Sequence, residues 1–260
     1  LKEQVEGAEV HFLVKSQFAS LVRNNPHVDK VHEFSGSLNR TVSELRQEHF
    51  DYLIDLHKNL RTYRIKRRLR VMDFSLDKLN RQKWLMVNFK RNKLPDLHIV
   101  DRYRHTVHLF DVQDDGKGLD FYIPEGDEVA QEALPAQFRE GFYALTVGAG
   151  HYTKQMPAAD LITLIRLIDK PVVLLGGRED TEKAVAIEKA VGNLAMNACG
   201  RFNIEQSGSI IRQARFVIAH DTGLMHIAAA LGQHFISLWG NTIPEFGMYP
   251  YRPGTVSNSQ

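Results

Sequence analysis

Phe216-Val217-Ile218-Ala219-His220-Asp221-Thr222-Gly223-Leu224-Met225-His226-Ile227-Ala228-Ala229-Ala230-Leu231 reads as a strand that feeds directly into a helix. The apolar run at 216–220 has strand character. Asp221 and Thr222 are residue types that cap a helix, and the apolar stretch to Leu231 supplies its body. A helix start of this kind presents amide hydrogens and the positive end of the helix dipole, a ready seat for phosphate oxygens. Thr222 and Gly223 would offer the closest N–H groups. His226, one turn into the helix, can aim a ring nitrogen at the same anion, although a histidine bonded within the core fits the spacing equally well. A carboxylate beside phosphate is repulsive, so helix capping is the preferred role for Asp221.

The same rhythm runs outward in both directions. Strand candidates fall at 143–147, 172–175, 194–197, 216–220 and 235–238. Helices are expected between them at 158–168, with Pro157 as the first helical residue, and at 181–191 and 204–215. Alternation of this kind with short loops predicts a doubly wound parallel sheet. In the first half, short apolar runs at 10–14, 28–33 and 52–56 are separated by helix-like stretches at 18–24 and 43–48, again a βαβ pattern. A strand-like run at 121–124 and a helical connector at 127–140 lead to a boundary near Gly141. The expectation is therefore two α/β domains, 1–140 and 141–260.

Composition suits that division. A chain of 260 residues with 43% hydrophobic and 25% charged residues can bury two cores. The longest apolar stretches, 171–175 and 227–231, are far shorter than the ~20 residues a bilayer crossing requires. The first ten residues are too polar for a signal peptide. A lone cysteine, Cys199, makes no internal bridge and offers no zinc-binding pattern, which suits a reducing compartment. The expected location is the cytosol. Residues 1–5 resemble the last turn of a helix closed by Gly7, and 251–260 have no period that would finish a domain, so the chain reads as a piece lacking an N-terminal strand and a C-terminal end.

In open α/β sheets ligands bind beyond the carboxyl ends of the strands. Five loops occupy that position in the second half: 148–154, 176–180, 199–203, 221–226 and 240–242. Lys154 precedes a helix start, where an ammonium can neutralise a diphosphate; a solvated surface lysine is the rival reading. Glu179 follows a strand end and can accept from both hydroxyls of a ribose, or else cap a helix. The chain contains neither G-x-G-x-x-G nor G-x-x-x-x-G-K-[ST], which argues against hydride transfer and ATP hydrolysis. It has no Asp-x-Asp triplet to carry a nucleotide-bound metal.

Charge is unevenly distributed. The whole chain sums to +2, yet residues 58–93 hold thirteen Lys and Arg against Asp73 and Asp77. That segment calls for an anionic partner. Arg61, Arg64 and Arg68 share one helical face. Aromatic residues within it, Tyr63, Phe74, Trp84 and Phe89, lack the interleaving of a single-strand nucleic-acid platform.

On these residues the chain resembles the glycosyltransferase family 9 heptosyltransferases, across nearly its full length. His220 to Leu231 is similar to the family's donor-diphosphate segment, and the stretch from Gly148 to Pro157 to its phosphate loop. Lys154 stands on that loop's lysine, and Met156 replaces its usual aromatic residue. The resemblance makes Glu179 the ribose-binding acid and puts Phe202 at the base-contacting position. Ile54-Asp55-Leu56-His57-Lys58-Asn59-Leu60-Arg61 resembles the acceptor-side segment, where Lys58, Arg61 and Arg64 would meet acidic Kdo sugars. The family's catalytic aspartate would precede Leu1, so no residue is named as the base.

The resemblance implies two Rossmann-like domains facing a cleft, the GT-B type. It further implies an inverting, metal-independent transfer of heptose from ADP-heptose to the inner core of lipopolysaccharide. No cofactor is expected. The lipid acceptor brings with it peripheral contact with the inner membrane, and no nucleic-acid partner is expected. The alternatives are a nucleotide-sugar-binding protein without catalysis and a sugar-nucleotide epimerase of similar architecture.

Overall fold

The computed structural model describes residues 1–240 and 242–252. Asn241 and residues 253–260, the latter including most of the expected unfinished end, lie outside the described residues. The chain divides into two compact units, Leu1–Lys117 with Glu245–Met248, and Gly118–Pro244 resuming at Tyr249.

The first unit contains β1 (His11–Lys15), α1 (Ser20–Arg23), β2 (Lys30–Phe34), α2 (Leu38–Arg46), β3 (Tyr52–Asp55), α3 (Leu60–Leu69), β4 (Met72–Ser75), α4 (Asn80–Phe89) and α5 (Ile99–His105). Its strands form two separate parallel pairs, β1 with β2 and β3 with β4, where a single doubly wound sheet was expected. Local chemistry sets the helix starts. Ser37 accepts from the Arg40 amide ahead of α2, and Asn59 with Thr62 makes a reciprocal capping box ahead of α3. Val42 and Leu45 of α2 meet Ile65 of α3 in a small core that also receives Leu13, Phe50 and Leu53. Residues 1–7 form turns ending at Gly7, whose φ of 69° lies in the left-handed region.

The second unit begins earlier than the expected boundary at Gly141. Residues 118–140 form neither the expected strand nor the expected helical connector. They run irregularly through two 3-10 turns, Glu125–Asp127 and Gln131–Ala133, to the single turn α6 (Ala136–Arg139). Pro124 and Pro135 interrupt any ladder or helix here. The stretch belongs to this unit because Leu134 and Phe138 are each only 1% exposed in its core, with Phe121 and Val129 packed alongside.

The remaining elements are β5 (Tyr143–Thr146), α7 (Ala158–Ile168), β6 (Val172–Leu175), α8 (Thr181–Val191), β7 (Ala195–Asn197), α9 (Ile204–Gln213), β8 (Phe216–His220), α10 (Gly223–Ala230) and β9 (Phe235–Leu238). All five strands are parallel in the order β7-β6-β5-β8-β9. Successive side chains point to opposite faces, so the apolar runs feed two cores. Ala144, Val173, Leu175, Val217 and Ala219 pack with Ile210 and Ile211 of α9 and Met225 of α10. Leu145, Val172, Leu174 and Ile218 pack with Leu161 and Ile165 of α7 and Ala184 and Ile187 of α8. Helices on both faces leave the two ends of the strands for loops, and the carboxyl ends carry all five candidate loops.

Candidate functional site

The loops form one connected rim. After β5, Gln155 Nε2 donates to the Ala149 carbonyl at 2.9 Å and closes the turn that carries Lys154. The Lys154 ammonium lies 2.6 Å from Asp221 Oδ2, which also accepts from the Thr242 hydroxyl at 2.8 Å. That pairing joins the loops after β5, β8 and β9. Gly240 fits against the same turn because a side chain there would meet the Thr153 carbonyl at 2.3 Å. On the other side of β5, Asp180 accepts from the Gly177 amide at 3.0 Å and presses on Gly148, where an added Cβ would lie 1.8 Å from its Oδ1. The Gly200 amide donates to the Gly176 carbonyl at 3.0 Å and brings in the loop after β7.

Asp221 does not cap α10. Thr222 occupies the N-cap with extended backbone, and no side chain caps the helix. The physical reason is the ammonium: the Asp221 carboxylate gains more from Lys154 and Thr242 than from a helix amide. Burial pushes its pKa up, but Lys154 and Thr242 outweigh burial and hold it below the usual carboxylate range. His226, half-buried in α10, is close enough to favour the ionised carboxylate. Thr222 Oγ1 is buried with no hydrogen-bond partner among the described residues, and Gly223 is exposed at the first turn. A polar group left in that state at a helix start suits an incoming anion.

Beneath this turn sits His220. Its Nε2 accepts from the Met156 amide at 3.0 Å, which puts the ring proton on Nδ1, 3.3 Å from Thr146 Oγ1. Burial, and then the nearby Lys183 ammonium, push its pKa down, so it stays neutral and can accept. Lys183 itself, half-buried on α8, donates to the carbonyls of Met156 at 2.7 Å and Val147 at 3.1 Å. Burial holds its pKa below the usual lysine range. Lys183 is a further residue of the rim, outside the five loops, and Asp180 closes the loop at 176–180. A signal was present for Lys183, which stands four residues ahead of buried Ile187 and so on the apolar stripe of its helix.

Glu179 is exposed at the carboxyl end of β6, with its carboxylate folded over Gly177. Phe202 is half-buried against the core cluster of Met196 and Ala198. Both are on the rim without a bond to Lys154. One hollow lies among Pro135, Phe138, Asn193 and Arg201, the last in the loop after β7, and another among Phe74, Leu76, Leu97 and Arg102 of the first unit.

In the first unit, Asp55 Oδ1 accepts from the amides of His57 at 3.0 Å and Lys58 at 2.7 Å, closing the turn after β3 with Lys58 at φ 41°. Lys58, Arg61 and Arg64 are all exposed, and the Arg61 guanidinium stacks 4.4 Å from the centre of the Phe34 ring. Lys66 is spent internally, 2.7 Å from Asp73 and 3.5 Å from Asp55. The Asp55 carboxyl is driven up by burial, yet the Lys58 and His57 amides, Thr62 and Lys66 together hold its pKa below the usual range.

A parallel sheet in this order, with helices on both faces and its loops gathered at the carboxyl ends of the strands, defines a Rossmann-like α/β protein. The chain belongs to glycosyltransferase family 9 (heptosyltransferase), whose model matches residues 38–259. It is 23% identical to the lipopolysaccharide heptosyltransferase 1 of Campylobacter coli over 267 residues, covering 93% of this chain and 78% of that one. The structure of E. coli ADP-heptose lps heptosyltransferase II superposes with a TM-score of 0.73 at 19% identity, covering 94% of this chain and 80% of that one. The E. coli heptosyltransferase WaaC with ADP-2-deoxy-2-fluoro heptose gives a TM-score of 0.68 at 20% identity, covering 94% and 82%. These likenesses extend the GT-B fold to the chain, and the family makes it a transferase. Among the described residues no helix is long and apolar enough to cross a membrane.

Proposed function

We propose that the chain transfers heptose from ADP-heptose to the inner core of lipopolysaccharide, with inversion at the anomeric carbon and without a metal ion. The observation that carries this reading is the Lys154–Asp221 pair just ahead of α10. As the sugar leaves, negative charge grows on the departing diphosphate. An ammonium held in place by a carboxylate, beside the amides of Thr222 and Gly223, stabilises that charge with little reorganisation. Glu179 then takes the ribose hydroxyls and Phe202 borders the base. Lys58, Arg61 and Arg64 bind the acidic acceptor sugars. Asp55 is not named as the base: its Oδ1 accepts from two amides and closes the turn after β3. Asp221, whose Oδ2 holds Lys154 and Thr242, is likewise not named as the base.

The lipid acceptor places the protein on the cytoplasmic face of the inner membrane. Trp84 and Phe89 of α4 are 57% and 58% exposed, with Lys90 and Arg91 next in the chain, a pairing of aromatic and basic groups that suits an anionic lipid surface.

Incubation with ADP-heptose and a Kdo-bearing acceptor tests the whole reading. The expected products are ADP and an acceptor extended by one heptose with inverted anomeric configuration. ADP binding by calorimetry without transfer would leave a binding protein, and an altered sugar formed from donor alone would make it an epimerase.

A further inference from the structure

The first unit carries a cluster that the transfer reaction does not use. His11 on β1 and His32 on β2 project from the same face of their strand pair, with His11 Nδ1 and His32 Nε2 3.0 Å apart. Glu48, just after α2, brings its carboxylate within 3.9 Å of each ring nitrogen. The three donor atoms therefore converge on one point, within 4.8 Å of one another. The His11 side chain is only 7% exposed, and Phe50 packs its edge against both rings.

We propose that His11, His32 and Glu48 form a binding site for a zinc-class divalent transition metal. Zn–N and Zn–O bonds of about 2.0–2.2 Å in a tetrahedron set neighbouring donors roughly 3.3 Å apart, so separations of 3.0 and 3.9 Å need only small side-chain adjustments. Two imidazoles and one carboxylate are a donor set for this class of ion, with the fourth position left to solvent. The outer shell is already in place. The Glu9 carboxylate accepts from His11 Nε2 at 2.8 Å, which puts the ring proton on the far nitrogen and turns the Nδ1 lone pair toward His32 and Glu48. The Lys30 ammonium, 2.5 Å from Glu48 Oε1, holds the position of a cation that a metal would displace, and its half-exposed side chain can swing into solvent.

The geometry also gives the ion a purpose. A two-stranded sheet is marginal by itself. An ion held by one residue from each strand and one from the segment after α2 would clip β1 and β2 to the core formed by Val42, Leu45 and Phe50.

The test uses the full chain stripped with chelator and titrated with zinc alone, and separately with cobalt(II) as a visible probe. The expected result is a specific equivalent of zinc, a cobalt spectrum of tetrahedral intensity, and a melting temperature raised by several degrees. Glu48→Gln and His32→Gln should abolish both the spectrum and the thermal shift. Glu9→Gln, at an exposed residue, should leave the fold intact and weaken zinc by about 10- to 100-fold. A chain that shows no cobalt spectrum and no zinc-dependent melting shift overturns the site. So does zinc binding that all three substitutions leave unchanged. The alternative outcome is a plain hydrogen bond between the two imidazoles.

Discussion

Lys154→Met offers the sharpest test of the rim. The Lys154 and Asp221 side chains are 20% and 9% exposed and lie 2.6 Å apart. Removing the ammonium leaves a nearly buried carboxylate with one hydroxyl, Thr242, as its partner. Breaking a fully buried ion pair costs ~3–5 kcal/mol, and a charge-assisted hydrogen bond is worth ~1.5–3 kcal/mol. Water reaches the lysine side, so a stability loss of about 2 kcal/mol is expected, which lowers the melting temperature by ~4–8 °C in a chain of this size. The same contact made to a diphosphate implies ADP binding weaker by roughly 10- to 150-fold, measured by calorimetry. Turnover at saturating donor should fall by about 100- to 1,000-fold. The double variant Lys154→Met with Asp221→Asn separates the causes. It removes the stranded charge, so stability should recover while ADP affinity stays well below that of the unaltered protein. ADP affinity restored to within twofold in the double variant would refute the reasoning, because Lys154 would then serve only to neutralise Asp221.

Three further outcomes follow from the geometry. His220 is held neutral by burial, so its folded pKa lies below the ordinary value of about 6.5 and the unfolded chain binds its proton more readily. Its contribution to stability is full above that ordinary value and is lost as pH falls through the folded pKa. Denaturation midpoints measured from pH 7 down to 5 should drop less steeply in His220→Gln, and an unchanged slope would contradict the assignment. Lys183→Met strands the carbonyls of Val147 and Met156 and should cost ~1–3 kcal/mol in chemical denaturation, with weaker ADP binding as the Lys154 loop loosens. Wild-type ADP affinity in that variant would remove its positioning role. Charge reversal at Lys90 or Arg91 should weaken sedimentation with anionic vesicles at least fivefold each, on the basis of about 1 kcal/mol per basic residue. Vesicle binding untouched by those changes and by Trp84→Ala would dismiss α4 as the lipid contact.

The second unit was legible because the strands β5, β6 and β8 of its sheet are buried on both faces. Such strands are near-continuous apolar runs, and 172–175 and 216–220 match the observed strands residue for residue, as does the more exposed edge strand at 235–238. The first unit was less so. Its strands are short and mixed in polarity, and pairing into two separate two-stranded sheets is a matter of contacts that periodicity does not encode. Residues 118–140 misled for a related reason: the apolar spacing of Leu134 and Phe138 suggests a helix, yet those side chains serve as anchors for an irregular strap.

Loop chemistry at the carboxyl edge of the sheet is set by the order of residues along the chain, since an apolar strand, Asp-Thr-Gly and then an apolar run of helical length read together as a helix start able to receive an anion. Sequence alone therefore determined the α/β class, the five rim loops and the candidates Lys154, Glu179 and Thr222. Tertiary structure decided which of these groups meet. It turned Asp221 from a helix cap into the partner of Lys154, set Lys183 and His220 beneath the same loop, and drew His11, His32 and Glu48 together. Such pairings join residues as many as 67 positions apart, and their energy depends on distance in space and on exclusion of water, neither of which is written in spacing along the chain.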